Sequence, residues 1–320
     1  MNMKKIGLLI ILIAVFNCKG TPKEDVKTVI ITTDELKETV RYLASDRLLG
    51  RDTGSEGIDE AATYLENQFN ALGVKPYFET YRDDFKVDSL EAFNVVGVIE
   101  GNDSKLKDEY IIIGAHYDHI GIIENIVDND SIANGANDNA AGTSSVIAMA
   151  KYFAAKKNNK RSLMFVLFSA EEKGLLGSKH LAEKLKAQKI NLYTMVNMEM
   201  IGVPFKDRDY MAFVTGYDMS NMAEKMNDYL GSKVIGFSEI AKKYNLFRQS
   251  DNYAFYEAFK IPCQTISSCD LSNYDYYHHV DDEADKLDYV HMASLVNSII
   301  PALEKMSNTP TKEIKMNETE

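Results

Sequence analysis

The chain has 320 residues, 45% of them hydrophobic, with 48 acidic side chains against 36 basic ones. That length and apolar content suffice for one large α/β core. The formal net charge is −12, falling to −14 once Lys4 and Lys5 leave with an N-terminal leader, and it argues against a nucleic-acid partner, whose phosphates would be repelled.

The leader opens the chain. Lys4 and Lys5 precede an apolar run from Ile6 to Phe16, too short to span a bilayer comfortably and followed at once by Asn17-Cys18. A basic start, a short apolar run and a break describe a secretory signal. A Cys ending that run resembles a bacterial lipoprotein signal, in which Cys18 would carry the lipid and become the new N-terminus. The alternative is an ordinary cleaved signal with Cys18 incidental. The expected organisation is a signal over 1–18, a polar tether over 19–30, one domain over 31–306 and a disordered tail over 307–320. The expected location is outside the cytoplasm of a bacterium, periplasmic or anchored to the outer membrane, with membrane contact only through the lipid.

Thr32-x-x-Glu35 is a capping-box signal before a helix carrying Leu36, Val40 and Leu43. A second helix follows, with Ile58, Ala61, Ala62, Leu65, Phe69 and Leu72 at near-helical spacing and Gly73 as its stop. Between them lies a Gly-rich loop, 48–55. Strands are expected at 95–99, 110–113, 163–168, 193–198, 211–214 and 261–266. Helices are expected at 142–155, 175–187, near 220–230, and in a long last segment lined by Leu287, Val290, Leu295, Ile299 and Leu303, which Pro301 is expected to kink. The alternation predicts an α/β fold of three layers, αβα, with a central mixed, mostly parallel sheet between helices. Cys263 and Cys269 either bridge a short loop or remain two buried free thiols.

In such sheets, functional residues gather beyond the carboxyl ends of strands. His116 follows one apolar run, Glu171-Glu172 a second, and Glu199 ends a third. In His116-Tyr117-Asp118 the carboxylate stands where it can orient a metal-bound imidazole, or merely hold the turn. His119, next along, reads as a bystander. Small residues surround Asp138 in 135–142, the uncrowded approach that a carboxylate shared by two cations needs, although an Asp there also suits a helix cap. Glu171 and Glu172 point different ways, so one can ligate while the other faces a substrate water. His278-His279 supplies a last donor, and spacing does not say which.

Taken together, these segments resemble the zinc aminopeptidases of the M28 family. The resemblance runs from about residue 35 to 305. It rests on Leu43-Ala44-Ser45-Asp46-x-Leu48-x-Gly50-Arg51, His116-x-Asp118, Asn137-Asp138-Asn139-x-x-Gly142, Glu171-Glu172-x-Gly174-x-x-Gly177-Ser178, Asn197-Met198-Glu199-Met200-Ile201-Gly202, Ser250-Asp251 with Phe255, Ile261-Pro262, and Tyr277-His278 before Asp282. It implies a zinc-exopeptidase-like fold over 31–306 and two zinc ions. His116 and Glu199 would hold one, Glu172 and His278 the other, and Asp138 would bridge them. It also favours His278 over His279, makes Glu171 the general base acting on a metal-activated bridging water, makes Asp118 the partner of His116, and gives Tyr277 the developing oxyanion. The Asp138-Asn139 peptide is expected to be cis. The implied partners are peptides with a free N-terminus, with side-chain preference set by walls near 203–210 and 240–256. Two positions depart from the pattern: Glu199 stands where Asp is usual, one methylene longer, and Asn252 where His is common.

Two other functions fit parts of this inventory. One is a glutaminyl-peptide cyclase-like enzyme holding a single zinc on an Asp, a Glu and a His. The other is a non-catalytic surface binding module that keeps the fold.

Overall fold

The computed structural model describes residues 29–318, so the expected signal, Cys18 and nearly all of the tether lie outside the described part. In chain order the elements are α1 (Thr33–Leu43), α2 (Glu56–Leu72), β1 (Lys75–Pro76), β2 (Arg82–Val87), β3 (Leu90–Ile99), β4 (Glu109–His116), β5 (Gly121–Val127), β6 (Asp130–Ala133), α3 (Ala141–Lys156), β7 (Ser162–Phe168), α4 (Leu176–Ala187), β8 (Asn191–Met198), β9 (Ala212–Val214), α5 (Met222–Leu230), β10 (Ile235–Gly236), α6 (Glu239–Lys243), α7 (Asn252–Phe259), β11 (Cys263–Ser267) and α8 (Tyr289–Asn308). Local chemistry sets the helix ends. Thr32 Oγ1 accepts from Glu35 N at 3.4 Å to open α1, and left-handed Gly73 closes α2. Helix α8 is continuous through Pro301, expected as a kink.

Nine strands form one sheet in the order β1-β3-β7-β4-β8-β11-β9-β10, with β2 paired to β3. Its centre, β7-β4-β8-β11, is parallel, while β1, β2 and β3 are joined by antiparallel pairings and β9 is antiparallel to β11. Parallel pairing therefore holds in the middle of the sheet and in the short β9–β10 edge pair, while the β1–β2–β3 side and the β11–β9 step are antiparallel. Alternation along each strand builds two cores. Ile111, Ile113 and Ala115 of β4 and Leu163, Phe165 and Leu167 of β7 face α1, α2, α3, α5 and α8. Ile112, Met164, Val166 and Phe168 face α4 and α7. The three layers are the expected ones.

Two expectations need correction or resolution. The segment 307–318 is not a loose tail: Ile314 is buried, its N–H donates to Tyr193 Oη at 2.8 Å, and Met316 bridges to Ser220. A short apolar-polar alternation among charged residues hid this packing. Cys263 and Cys269 are both free and buried. Cys263, at the start of β11, packs with Met195 and Phe255, whereas Cys269, beyond the strand's end, packs with Met200 and Tyr274.

Candidate metal centre

Three parallel strand ends form the floor of the site. His116 closes β4 opposite Phe168 of β7, and Glu199 follows β8, with its N–H donating to Ile266 O of β11 at 3.0 Å. Just past β7, Ala170 takes a left-handed φ of 56°, which turns the chain and sends Glu171 and Glu172 over the edge. The Asp138 loop drops in from the start of α3. Its Asp138-Asn139 peptide is cis, as the family likeness implied.

The side chains converge as two groups around Asp138. One carboxylate oxygen, Oδ1, lies 3.2 Å from His116 Nε2, which is also 2.9 Å from Glu199 Oε1. The other, Oδ2, lies 3.3 Å from His278 Nε2, itself 3.2 Å from Glu172 Oε2. Donors arranged tetrahedrally around zinc stand about 3.3 Å apart, so these separations fit a cation in each group. His278 Nε2 sits beside both carboxylates yet is aligned for a hydrogen bond to neither, a direction that suits a cation between them. The donor set, imidazole and carboxylate only, suits zinc.

One neighbour, His119, was read differently from sequence. His119 is not remote: its Nδ1 lies 3.0 Å from Glu172 Oε1 and 3.8 Å from Asp138 Oδ2. The β4 end makes a turn there, so residues three apart return to the same edge. His279 lies outside the cluster, bonded locally to Asp281.

The supporting contacts are specific. Asp118 Oδ1 accepts from Glu171 N and Oδ2 from Glu172 N, both at 3.2 Å, so this carboxylate holds the acidic loop. For His116 Nδ1 the nearer oxygen is the Asp118 carbonyl at 3.2 Å, with the carboxylate at 3.6 Å. Asp282 accepts from Asn137 N and Asp138 N at 2.7 and 3.0 Å and from Tyr274 Oη at 2.6 Å. Asn139 bonds Met198 O, Gly142 N and Met200 N, tying the loop to β8. A Cβ on Gly142 would stand 2.4 Å from Met198 O, which explains the glycine in the motif. Arg51, fully buried, donates to the carbonyls of Leu43, Tyr117, Asn134 and Gly135 and so clamps the His116 and Asp138 loops together. Glu199, one methylene longer than the family usage, is held by Ser250 Oγ donating to Oε2 at 2.6 Å. Asn252, the second departure, is the first residue of α7 and donates to Phe247 O and Cys263 O.

Charge follows this geometry. Burial and the neighbouring acids Asp251, Glu199 and Glu172 push the Glu171 carboxyl well above the usual range, although His116 opposes them. Burial likewise raises Glu199. Asp138 is lowered: burial opposes ionisation, but His116 and His278 outweigh it. A carboxyl raised in this way is better suited to taking up and giving back a proton than an ordinary carboxylate.

A cleft of about 550 Å³ opens over these residues. Leu246, Gln249 and Ser250 form one wall, within the expected 240–256 segment. Met200, Phe213 and Leu271 also line the cleft, and no residue of 203–210 does. Tyr277 stands at the rim, stacked on His278 with ring centroids 3.9 Å apart.

Known proteins place this arrangement. The model of peptidase family M28 matches residues 94–302. A probable zinc metalloprotease of Pyrenophora teres f. teres is 30% identical over 198 residues, 57% of this chain and 42% of that protein. The chain thus spans less than half of that relative's length. A probable leucine aminopeptidase of Trichophyton verrucosum is 26% identical over 265 residues, 78% of this chain and 65% of that protein. Among solved structures, the Legionella pneumophila LapA aminopeptidase superposes with a TM-score of 0.66 at 24% identity, covering 88% of this chain and 74% of that one. Porphyromonas gingivalis glutaminyl cyclase superposes with a TM-score of 0.67 at 12% identity, over 87% of this chain and all of that one. Identities this low in the two structures speak to the fold alone. The family model covers well over half of the chain, and by that match, on this fold and with these residues in place, the chain belongs to peptidase family M28.

Proposed function

We propose that this chain is an exported zinc aminopeptidase that hydrolyses the first peptide bond of substrates with a free N-terminus. One observation carries the reading: the two oxygens of Asp138 face separate groups of donors, His116 with Glu199 and His278 with Glu172, while Glu171 borders the same cleft. Ions held by these residues would supply Lewis acidity, lowering the pKa of water and polarising the carbonyl oxygen. Glu171, buried and raised, accepts a proton from the attacking water and delivers it to the leaving amine. Asp118 fixes the loop that aims it. Tyr277, its phenol pushed up by partial burial and the carboxylates of Asp138 and Glu172, keeps its proton and offers it to the developing oxyanion. The relatives named as metalloprotease and aminopeptidase support this assignment. The export signal and Cys18 support a periplasmic or lipid-anchored location.

The test is Glu171→Gln, assayed with a panel of aminoacyl chromogenic substrates with and without chelator. Turnover should fall by roughly 10²–10⁴-fold with zinc content unchanged. Unimpaired hydrolysis would remove Glu171 from its role, and cyclisation of N-terminal Gln peptides without hydrolysis would favour the cyclase reading suggested by the shared fold.

A further inference from the structure

We infer that His119 is a protein ligand of the ion between Glu172 and His278, giving that site four protein donors and its neighbour three. The inference rests on the two-ion reading above and adds an asymmetry to it. His119, Asp138, Glu172 and His278 each offer one ligand atom, all within 4.8 Å of one another, whereas the groups that contain His116, one with Asp138 and Glu199 and one with Glu171 and Glu172, have three donors each. His119 Nδ1 is turned into the first group, and the ring stands at 72° to His278 with centroids 5.6 Å apart. Two imidazoles therefore approach one point from different directions, which is how donors surround a tetrahedral ion.

The ring is fully buried, and Nε2 has no hydrogen-bond partner among the described residues. The imidazole's polar contacts are thus confined to the cluster, and burying it is offset only by what Nδ1 binds there. Its position is locked. His119 N–H donates to Arg51 O at 3.3 Å, and the ring lies against Gly135, where an added Cβ would stand 2.5 Å from Cγ. Four protein donors hold an ion more firmly than three, and the three-donor site is the more open to exchange. The His119 site therefore retains its ion, and the His116–Glu199 site exchanges.

Zinc K-edge X-ray absorption on the wild-type chain loaded with two equivalents of zinc reads the ligation directly. It should count three imidazoles for each pair of ions. Chelator competition should show one ion held more tightly than the other. In His119→Gln that difference should shrink, the tight ion weakening by about 10–100-fold or more while the other is unchanged, and His279→Gln should behave as wild type. Two ions with two imidazoles per pair, or unaltered competition in His119→Gln, would overturn the inference and reduce His119 to a hydrogen-bond partner of Glu172. Fewer than two ions in the wild type would overturn the two-ion reading first. Because the absorption measurement needs no variant, misfolding of His119→Gln would not protect the inference.

Discussion

Asp138 gives the site its form because a carboxylate has two oxygens, and here each faces a different imidazole. The residues around it serve to hold that posture: Asp282 takes the two preceding N–H groups, and Arg51 ties the loop carbonyls. Glu199 shows how a departure from family usage is accommodated. The extra methylene adds a rotatable bond, and the Ser250 hydroxyl, itself accepting from Asn197 Nδ2 at 2.8 Å, fixes the carboxylate against that freedom. Ser250→Ala should weaken zinc at the His116–Glu199 position by about 10–100-fold and leave the other ion in place, read by chelator competition. Equal affinities in variant and parent would show that Glu199 needs no such support.

At the scale of elements, the legible parts were those whose period matched their burial. The two faces of β4 and β7 split cleanly into the two cores, and the capping residues of α1 and α2 stand where the pattern placed them. Strand β2 escaped because one of its inward positions is Asp83, buried between Lys184 Nζ at 2.6 Å and Asn94 Nδ2 at 3.0 Å, so a charged residue breaks the apolar alternation. The β5–β6 hairpin did carry a signal: Asp128 and Asn129 both have positive φ, the two-residue turn that favours such residues. His119 was missed for another reason. Adjacent residues of a strand point apart, but the turn after β4 resets that rule, and spacing does not reveal where it ends. Helix α8 gives a prediction of its own. Burial lowers the His291 imidazole pKa, with Asp288 opposing. A base depressed in the folded state is neutral in both states above about 6.5, so its share of stability is full there. Below that, the unfolded chain takes up the proton first and stability is lost towards the lower folded pKa. His291→Asn should flatten the fall in Tm between pH 7.5 and 5.5, and an identical slope would show that His291 is not the titrating group.

The whole molecule is organised as two layers of helices around a sheet whose parallel centre points its carboxyl ends at the site. Charged sequence concealed one part of that plan, the return of the chain after α8. Thr309 O accepts from the buried Arg161 at 2.6 Å, and Ile314 completes the core beside α5. Deleting residues 309–320 should cost about 2–4 kcal/mol in urea unfolding, from one buried aliphatic side chain and an acceptor lost to a buried guanidinium. An unchanged midpoint would mean that this segment only rests on the surface. The account depends most on what Asp138 joins. Crystals of the zinc-loaded chain, measured on either side of the zinc absorption edge, locate every ion without reference to activity. Two anomalous peaks about 3.5–4 Å apart, one on each side of the Asp138 carboxylate, are expected. A single peak, or a pair that Asp138 does not separate, would contradict the account.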